Sequence, residues 1–343
     1  MIIRELVDLK QYTTFRMGPK ARFFAVVEKE ENLHEAYAFA KEINVPVVIL
    51  GSGSNVLLKD NEILEALVLK IEIHGFEVIE ETDVSVSIRV GAGEIWDSFV
   101  KRAVEMNFSG VETLSGIPGT VGATPVQNVG AYGSEIKDAL VSLEAYEIAT
   151  GKLITLTKEE CRFAYRDSIF KNEAKGKFLI TSVTFKLLKT EPKIPAYAGV
   201  SNYFEKNKIA KPTLLEIRQA ILEIRQQKLP DPKNIASVGS FFKNPIINYE
   251  QYSELKKNYP NAVTFSLDDG SFKVSAGWLL ENLGLKGQEF SHLQFYSNNA
   301  LVLVNDGSAT FLELEKLVKT AQSQVQNRFG IELEMEPNII GNN

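Results

Sequence analysis

Three short stretches carry the side chains best suited to chemistry. The first, Tyr165-Arg166-Asp167-Ser168-Ile169-Phe170-Lys171, centres on an arginine. A guanidinium keeps its proton and offers a planar fork to a carboxylate or a developing oxyanion. The plainer reading is a surface ion pair of Arg166 with Asp167 or Asp138, which is worth little. The second, Ser237-Val238-Gly239-Ser240-Phe241-Phe242-Lys243-Asn244-Pro245, wedges Ser240 between a glycine and two aromatics. No G-x-S-x-G elbow surrounds it and no base lies in the motif, which argues against a hydrolase nucleophile. A hydroxyl can instead give a proton to a strongly basic centre, with Lys228 and Lys243 as the positive charge supporting the alkoxide; the alternative is a strand-edge serine beside core phenylalanines. The third is Glu332-Leu333-Glu334-Met335-Glu336-Pro337. Strand periodicity sets its three glutamates on one face and Leu333 and Met335 on the other, which suits a solvated edge or a carboxylate entering a site.

A glycine-laden stretch, Leu114 to Gly133 (LSGIPGTVGATPVQNVGAYG), is the element around which these residues would be arranged. Glycine admits positive φ and removes the Cβ that keeps a ligand at a distance. Successive bare N–H groups can then form a nest for phosphate oxygens. A flexible connector would favour Gly and Ser without the interleaved Ile117, Val121, Val126 and Val129. The stretch is not a P-loop, since Ala123 and Thr124 follow Gly122 where Lys and Ser/Thr are required. Nor is it a Rossmann turn: Gly51-Ser52-Gly53 and Gly91-Ala92-Gly93 begin that pattern, but Val56 and Trp96 occupy the third glycine's place.

The bulk properties narrow the partners. With 343 residues, 44% apolar and 24% charged, the chain suits a soluble protein of two or three domains. A formal charge of −6 with no Lys/Arg block argues against nucleic acid. The single cysteine, Cys161, cannot form an internal disulfide and fits a reducing compartment as a buried, inert thiol. His34, His74 and His292 are too scattered for a metal centre. The start, MIIRELVDLKQYTTF, is too polar for a secretory signal, and no apolar run reaches the length of a membrane span. A cytoplasmic, metal-free protein is expected.

Periodicity supplies the scaffold. Strand, helix and strand at Arg22–Glu28, Asn32–Ile43 and Pro46–Leu50 lead into Gly51-Ser52-Gly53-Ser54-Asn55 and then Val56-Leu57-Leu58. A small-residue loop at a strand's carboxyl end is where an α/β layer presents backbone to a ligand, although an ordinary tight turn reads the same way. Strands are predicted at Leu67–Ile71, Phe76–Glu80, Val84–Val90, Leu140–Ile148, Lys152–Thr157 and Phe178–Leu188, with a helix at Glu94–Met106. Lys189–Pro195 and Ala196-Tyr197-Ala198-Gly199 read as a linker or mobile loop. A helix at Pro212–Gln227 stops before Leu229-Pro230-Asp231-Pro232. The last hundred residues predict helices at Ala276–Asn282 and Ala309–Arg328, a strand at Leu301–Val304 and a closing strand at Ile331–Ile340.

Eight segments, in order, give these readings a common source. Thr13-Thr14-Phe15, LGSGSNVLL (Leu50–Leu58), GAGEIWDSFV (Gly91–Val100), the glycine stretch, FAYRDSIFK (Phe163–Lys171), KLPDP (Lys228–Pro232), GSFFKNP (Gly239–Pro245) and LEMEPNIIG (Leu333–Gly341) together resemble the UDP-N-acetylenolpyruvoylglucosamine reductase (UDP-N-acetylmuramate dehydrogenase) family. Ala196-Tyr197-Ala198-Gly199 is similar to the branch with an extra tyrosine loop over the substrate. The resemblance implies an α+β chain of α/β layers: a two-domain FAD-binding module of the vanillyl-alcohol-oxidase/PCMH type at residues 1–67 and 68–228, the second with the Tyr197 loop and a linker helix. A third α+β, substrate-binding domain at 229–331 and a C-terminal strand at 332–343 returning to the active site would follow.

The function so implied is NADPH-dependent reduction of UDP-N-acetylglucosamine enolpyruvate to UDP-N-acetylmuramate for peptidoglycan and cell-wall synthesis, with non-covalent FAD, in a cytoplasmic monomer. Hydride would pass from flavin N5 to the enol-ether β-carbon. Arg166 and Glu336 would stabilise the enolate-like intermediate, and Ser240 would protonate the α-carbon. The cofactor contacts would be Leu50, Gly51, Ser52, Gly53, Ser54, Asn55, Val56, Gly116, Ile117, Pro118, Gly119, Gly122, Ala123, Gln127, Asn128, Gly130, Ala131 and Tyr132. Tyr165, Tyr197, Lys228, Asn244 and Asn299 fall at substrate positions, with Tyr197 and Lys228 suited to a diphosphate. The chain departs from the family pattern at Ser52 (often glycine), at Pro337 and Asn338 (expected Val and Arg) and at Asn299 (commonly glutamine). Glu334 shares the strand face of Glu336 and stands as the alternative carboxylate. Rival readings are an alcohol oxidase on the same architecture, many of which tether flavin through His or Cys that the glycine stretch lacks, and a catalytically idle nucleotide-sugar binder.

Overall fold

The computed structural model describes residues 1–60 and 62–341. They form two compact units, one of residues 1–7, 21–52 and 65–226, the other of 8–20, 53–64 and 227 to the C-terminus. Residue 61, within the 1–67 segment, and the last two residues of the 332–343 segment lie outside the described residues.

The first unit contains two sheets. One orders its strands Ile3–Asp8, Lys20–Val27, Ile63–Ile71 and Val47–Leu50, the last two pairing in parallel. Helix α1 (Glu31–Glu42) connects Lys20–Val27 to Val47–Leu50 and buries Leu33, Ala36 and Ala40. Spaced at i, i+3 and i+7, these form one helical stripe, packed with Ala25, Val27, Leu67, Leu69 and Ile71. The other sheet is antiparallel, in the order Lys152–Thr157, Leu140–Glu147, Phe178–Leu188, Ser85–Gly91 and Phe76–Glu81. Alternation along its strands puts Val183, Phe185 and Leu187 with Val86, Ile88 and Val90 in the core. Helix α2 (Trp96–Glu105) covers them with Trp96, Phe99, Val100, Ala103 and Val104.

Two further helices complete this unit. Helix α3 (Ala198–Lys206) corrects the linker reading: its Val200 and Phe204 pack with Ile217, Ala220 and Ile221 of helix α4 (Leu214–Lys228). The prolines before it hid a short helix with only two buried apolar residues. Cys161 is fully buried, and burial pushes its thiol up to about 12, so it stays protonated and inert.

In the second unit a four-stranded sheet runs Ala236–Ser240, Val302–Asn305, Leu293–Phe295, Glu289–Phe290, and a three-stranded one runs Ile246–Ile247, Phe272–Val274, Thr264–Ser266. Helices α5 (Tyr249–Asn258), α6 (Ala276–Asn282) and α7 (Phe311–Phe329) supply the remaining faces of its core, in which Phe15, Met17, Leu57, Val238, Phe241, Phe242, Leu279, Leu280, Phe295, Leu317 and Val325 are packed. Helix α7 starts at a capping box, with Thr310 accepting from the Glu313 amide, and stops at Gly330 in the left-handed region.

The expected closing strand is shorter than Ile331–Ile340. Only Asn338–Ile340 is a strand, parallel to Val56–Leu58. Pro337 has no N–H to give a ladder. Residues 334–336 instead bond to a different neighbour, Glu336 N–H donating to Phe241 O (2.9 Å) and Lys243 N–H to Glu334 O (2.9 Å).

Gly53 is a position where this unit tolerates no side chain. Its φ is +66°, and a Cβ there would lie 2.0 Å from Tyr12 O and 2.8 Å from Thr13 Cα. Gly53→Ala is expected to cost about 1–3 kcal/mol from backbone conformation alone, with the clash added. Gly307 shares a positive φ but has open space around it. Thermal unfolding should therefore show a clearly larger loss for Gly53→Ala than for Gly307→Ala; equal losses would mean that the clash relaxes without cost.

Candidate functional site

The two small-residue loops meet within the first unit. Gly51 lies against Thr120, and a Cβ on it would come 2.6 Å from Thr120 Oγ1. Gly122 sits as tightly on Ala92, where a Cβ would meet the Ala92 Cβ at 2.5 Å. The absent side chains let Gly51 approach the Thr120 hydroxyl and Gly122 the backbone of Ala92. Beside Gly51, Ser52 Oγ is buried with no hydrogen-bond partner. A buried hydroxyl left unmatched costs about 1–3 kcal/mol, and an acceptor oxygen of a bound diphosphate would satisfy it.

The picture of a nest of bare amides needs correction. Gly116 N–H donates to Asp97 Oδ1 (2.6 Å), Val121 to Glu94 O (2.8 Å), Gly122 to Ala92 O (2.9 Å), Ala123 to Thr120 O (3.0 Å) and Thr124 to Val121 O (3.1 Å). A 3-10 turn at Val121–Ala123 uses donors internally that sequence reading left open. Gln127 and Asn128 are buried, Ile117, Gly119, Gly130, Ala131 and Tyr132 half-buried, and Pro118 and Ala123 exposed.

Asn128 joins the far end of the loop to the arginine segment. Held at φ +47°, it donates through Nδ2 to Glu135 Oε2 (2.8 Å) and Ala164 O (2.9 Å), while its Oδ1 accepts from Lys137 N–H (3.2 Å). Ala164 and Asp167 exchange both backbone bonds, leaving Tyr165 and Arg166 as a two-residue turn with Arg166 at φ +54°. Arg166 Nη2 donates to Gly130 O (2.6 Å), and its guanidinium lies 5.3 Å from the Tyr165 ring centroid. Ser168 Oγ donates to Val126 O (2.6 Å). The arginine is therefore fastened to the glycine loop itself, in a conformation that few non-glycine residues adopt.

The near end is clamped by an ion pair the sequence did not announce. Arg218 of α4 makes a bidentate pair with Asp97 of α2 (2.6 and 2.8 Å), and the same carboxylate accepts from Gly116 N–H. Burial alone would raise the Asp97 pKa, but the bonds from Arg218 and the Gly116 amide outweigh it and hold the carboxyl below its usual value. A depressed folded-state pKa stabilises the fold above the unfolded value, about 3.9 for Asp, and that stability is lost as pH falls through the folded value. Asp97→Asn is expected to lower the melting temperature at neutral pH, with the gap to the unsubstituted chain closing below about pH 4. A gap independent of pH would show that packing, not charge, is what the substitution removes.

Tyr197 caps α3 at its start, is 39% exposed, and meets Tyr132 edge-on at 5.3 Å between centroids. This gathers Tyr197, Tyr132, Gly116 to Gly133 and Arg166 in one unit.

Ser240, Glu336, Asn55, Asn244, Asn299 and Lys228 belong to the other unit. Thr14, from the Thr13-Thr14-Phe15 motif, ties its parts together: Thr14 N–H donates to Gly53 O (3.1 Å) and its hydroxyl to Ser237 O (2.7 Å). Ala236–Ser240 then pairs with Val302–Asn305 through a register shift between Ser237 and Ser240, with Gly239 at φ +75°. Such bulges re-aim the side chain that follows. Ser240 thus ends a strand next to Phe241, whose carbonyl accepts the Glu336 amide (2.9 Å), and Glu336 O is 3.5 Å from Asn55 Nδ2. Glu336 is half-buried, whereas the Glu334 side chain is 72% exposed and paired with Lys243. Asn244 Oδ1 accepts from Ala276 N–H (2.9 Å) and Asn299 Oδ1 from Leu301 N–H (3.1 Å), so each amide turns its carbonyl to backbone. Lys228 is exposed at the end of α4.

Comparison with known proteins gives matches along nearly the whole chain. Residues 21–157 match an FAD binding domain family, and residues 231–340 match the C-terminal domain of UDP-N-acetylenolpyruvoylglucosamine reductase. The chain is 44% identical to UDP-N-acetylenolpyruvoylglucosamine reductase of Flavobacterium johnsoniae, covering 99% of this chain and 100% of that one. It is 40% identical to the protein of that name from Pseudomonas aeruginosa, covering 98% of both. Among solved structures, UDP-N-acetylenolpyruvylglucosamine reductase from Thermus caldophilus superposes with a TM-score of 0.68 at 24% identity, covering 98% of each chain. The 6-hydroxy-D-nicotine oxidase of Arthrobacter nicotinovorans superposes at 0.55 with 12% identity, covering 96% of this chain and 86% of that one, a likeness of fold alone.

Proposed function

The chain belongs to the UDP-N-acetylenolpyruvoylglucosamine reductase family, FAD-dependent oxidoreductases of peptidoglycan synthesis, and from that premise we propose that it reduces UDP-N-acetylglucosamine enolpyruvate to UDP-N-acetylmuramate with NADPH as electron source. The residues fit the flavin: Ser52 has an unmatched buried hydroxyl beside Gly51, which lies against Thr120 of the glycine stretch. When bound, FAD supplies hydride transfer at N5. Residues 1–67 and 68–228 would hold it, and 229–331 would hold the nucleotide sugar, in a monomer working in the cytoplasm. No helix among the described residues is long and apolar enough to cross a membrane.

The protein's own part is alignment and proton handling. Arg166, fastened to Gly130 O, would present its fork to the substrate carboxylate, where charge builds as the β-carbon takes hydride. Glu336 would polarise that carboxylate with it. Preorganised groups aimed at developing charge contribute about 3–4 kcal/mol each. Ser240 would hold the proton destined for the α-carbon. Tyr165, Tyr197, Lys228, Asn244 and Asn299 would bind the remainder, Tyr197 and Lys228 taking the diphosphate.

The observation that supports the reading is that Ser240 and Glu336, about 100 residues apart in sequence, are brought to the same stretch of backbone, Ser240 preceding Phe241 and the Glu336 amide donating to Phe241 O. Anaerobic titration tests the whole. NADPH should bleach the flavin absorbance, and the enolpyruvyl nucleotide should restore it with formation of UDP-N-acetylmuramate, identified by mass. A protein bleached by NADPH whose colour the enolpyruvyl nucleotide fails to restore would overturn the assignment.

A further inference from the structure

The turn that carries Arg166 is tied to the glycine stretch by bonds that close into a ring. Asn128 Nδ2 donates to Ala164 O (2.9 Å), Ala164 and Asp167 exchange backbone bonds (3.1 and 3.2 Å), Arg166 Nη2 donates to Gly130 O (2.6 Å), and Val129 leads back to Asn128. Asn128 is fully buried. Its Nδ2 donates a second time, to Glu135 Oε2 (2.8 Å), and its Oδ1 accepts from Lys137 N–H (3.2 Å). Glu135 in turn pairs with Gly130 in a two-rung ladder, so the same asparagine steadies the residue whose carbonyl receives the guanidinium.

The ring is tight. A Cβ on Gly130 would come 2.9 Å from Glu135 Cγ and 3.1 Å from Arg166 Nη1. Arg166 itself stands at φ +54°, a conformation that persists in a non-glycine residue where its surroundings over-determine it. Asparagine meets two needs at position 128. At φ +47° it is among the few side chains that enter the left-handed region routinely, and its amide offers two donor hydrogens and an acceptor. Glycine would meet the first need and none of the second.

We propose that Asn128 is a positioning residue for Arg166: by fixing the Tyr165-Arg166 turn against Gly130 it sets where the arginine's fork points, and through it the rate at which the enolpyruvyl nucleotide takes electrons from reduced flavin. The inference rests on the role given to Arg166 above, and it assigns the Asn128 side chain to the protein's interior rather than to the cofactor contacts that the resemblance implied. Arg166 keeps its charge whatever stands at position 128, so direction is lost and charge is not. A group displaced by about 1 Å can cost about a hundredfold in rate.

The test reads both half-reactions by stopped flow in the FAD-loaded protein, for Asn128→Gly, Asn128→Asp, Arg166→Lys and the double variant Asn128→Gly/Arg166→Lys. Circular dichroism and flavin content check fold and loading. Asn128→Gly keeps the left-handed backbone and removes all three side-chain bonds. Asn128→Asp keeps the shape and the bond from Lys137, but gives up both donors and turns a second carboxylate toward Glu135. Reoxidation at saturating nucleotide should slow about ten- to a hundredfold in each, while reduction by NADPH and the nucleotide's Kd for oxidised enzyme stay within about threefold. In the Arg166→Lys background, Asn128→Gly should add little further, as expected of two residues that act through one group. A folded Asn128→Gly protein with unsubstituted reoxidation overturns the proposal, and so does equal slowing of both half-reactions or a full additive loss in the double variant. Should Asn128→Gly not fold, Asn128→Asp decides by the same rates. Unaltered reoxidation in Arg166→Lys would remove the arginine's role, and this inference with it; a slow Arg166→Lys beside a normal Asn128→Gly would remove this inference alone.

Discussion

A Ser240→Ala protein is expected to accept electrons from NADPH at close to the normal rate and then to stall, its reduced flavin persisting when the enolpyruvyl nucleotide is added. Donation of a proton by a positioned group is worth about 10²–10⁴ in rate, and no step before hydride transfer to substrate uses that proton. The substitution is small and leaves the strand intact, since Ser240 is half-buried and pairs with Val302 through its backbone. Stopped-flow measurement of the two half-reactions separates the outcomes. Equal slowing of both would remove Ser240 from the role of proton donor and point to a shared binding or folding defect.

The second large effect concerns the glutamates of the C-terminal segment. Glu336→Gln should lower turnover by about 10²–10³, the usual cost of removing one preorganised group that acts on developing charge. Glu334→Gln should leave it within a few-fold. The contrast follows from their surroundings: Glu336 is half-buried with its amide bonded beside Ser240's strand, while Glu334 is 72% exposed and held by Lys243. A fall in turnover confined to Glu334→Gln would exchange the two assignments.

The regular elements of the first unit were legible because their signals are local. Alternation along Phe178–Leu188 and the stripe of α1 follow from neighbouring residues alone. Helix α3 was lost behind Lys189–Pro195, where prolines mask a short run with few apolar residues. The closing strand was overextended because alternation of Leu333 and Met335 says nothing about which neighbour supplies the hydrogen bonds, and Pro337 divides the segment between two of them. The α+β character and FAD-binding architecture were readable from the resemblance, and its motifs named Arg166, Ser240 and Glu336. Their positioning was not readable. The Asp97–Arg218 clamp joins residues 121 positions apart, and the bulge that aims Ser240 depends on the register against Val302–Asn305. That five amides of the glycine stretch are taken up within the protein was unreadable for a related reason, as glycine content reveals backbone freedom but not where each N–H finds its acceptor.

The second unit is assembled from three pieces of chain, residues 8–20, 53–64 and 227 onward, and this orders events on the ribosome. Phe15, Met17 and Leu57 are synthesised early yet are buried, each about 1% exposed, in a core whose other members lie beyond Val238. Closing so long a loop is slow compared with local helix and strand formation. The nascent chain must therefore carry these greasy side chains uncovered for most of translation, a span in which exposed apolar surface invites aggregation or chaperone capture. A ribosome stalled before the final strand would hold an unfinished unit, with Val56–Leu58 still awaiting Asn338–Ile340.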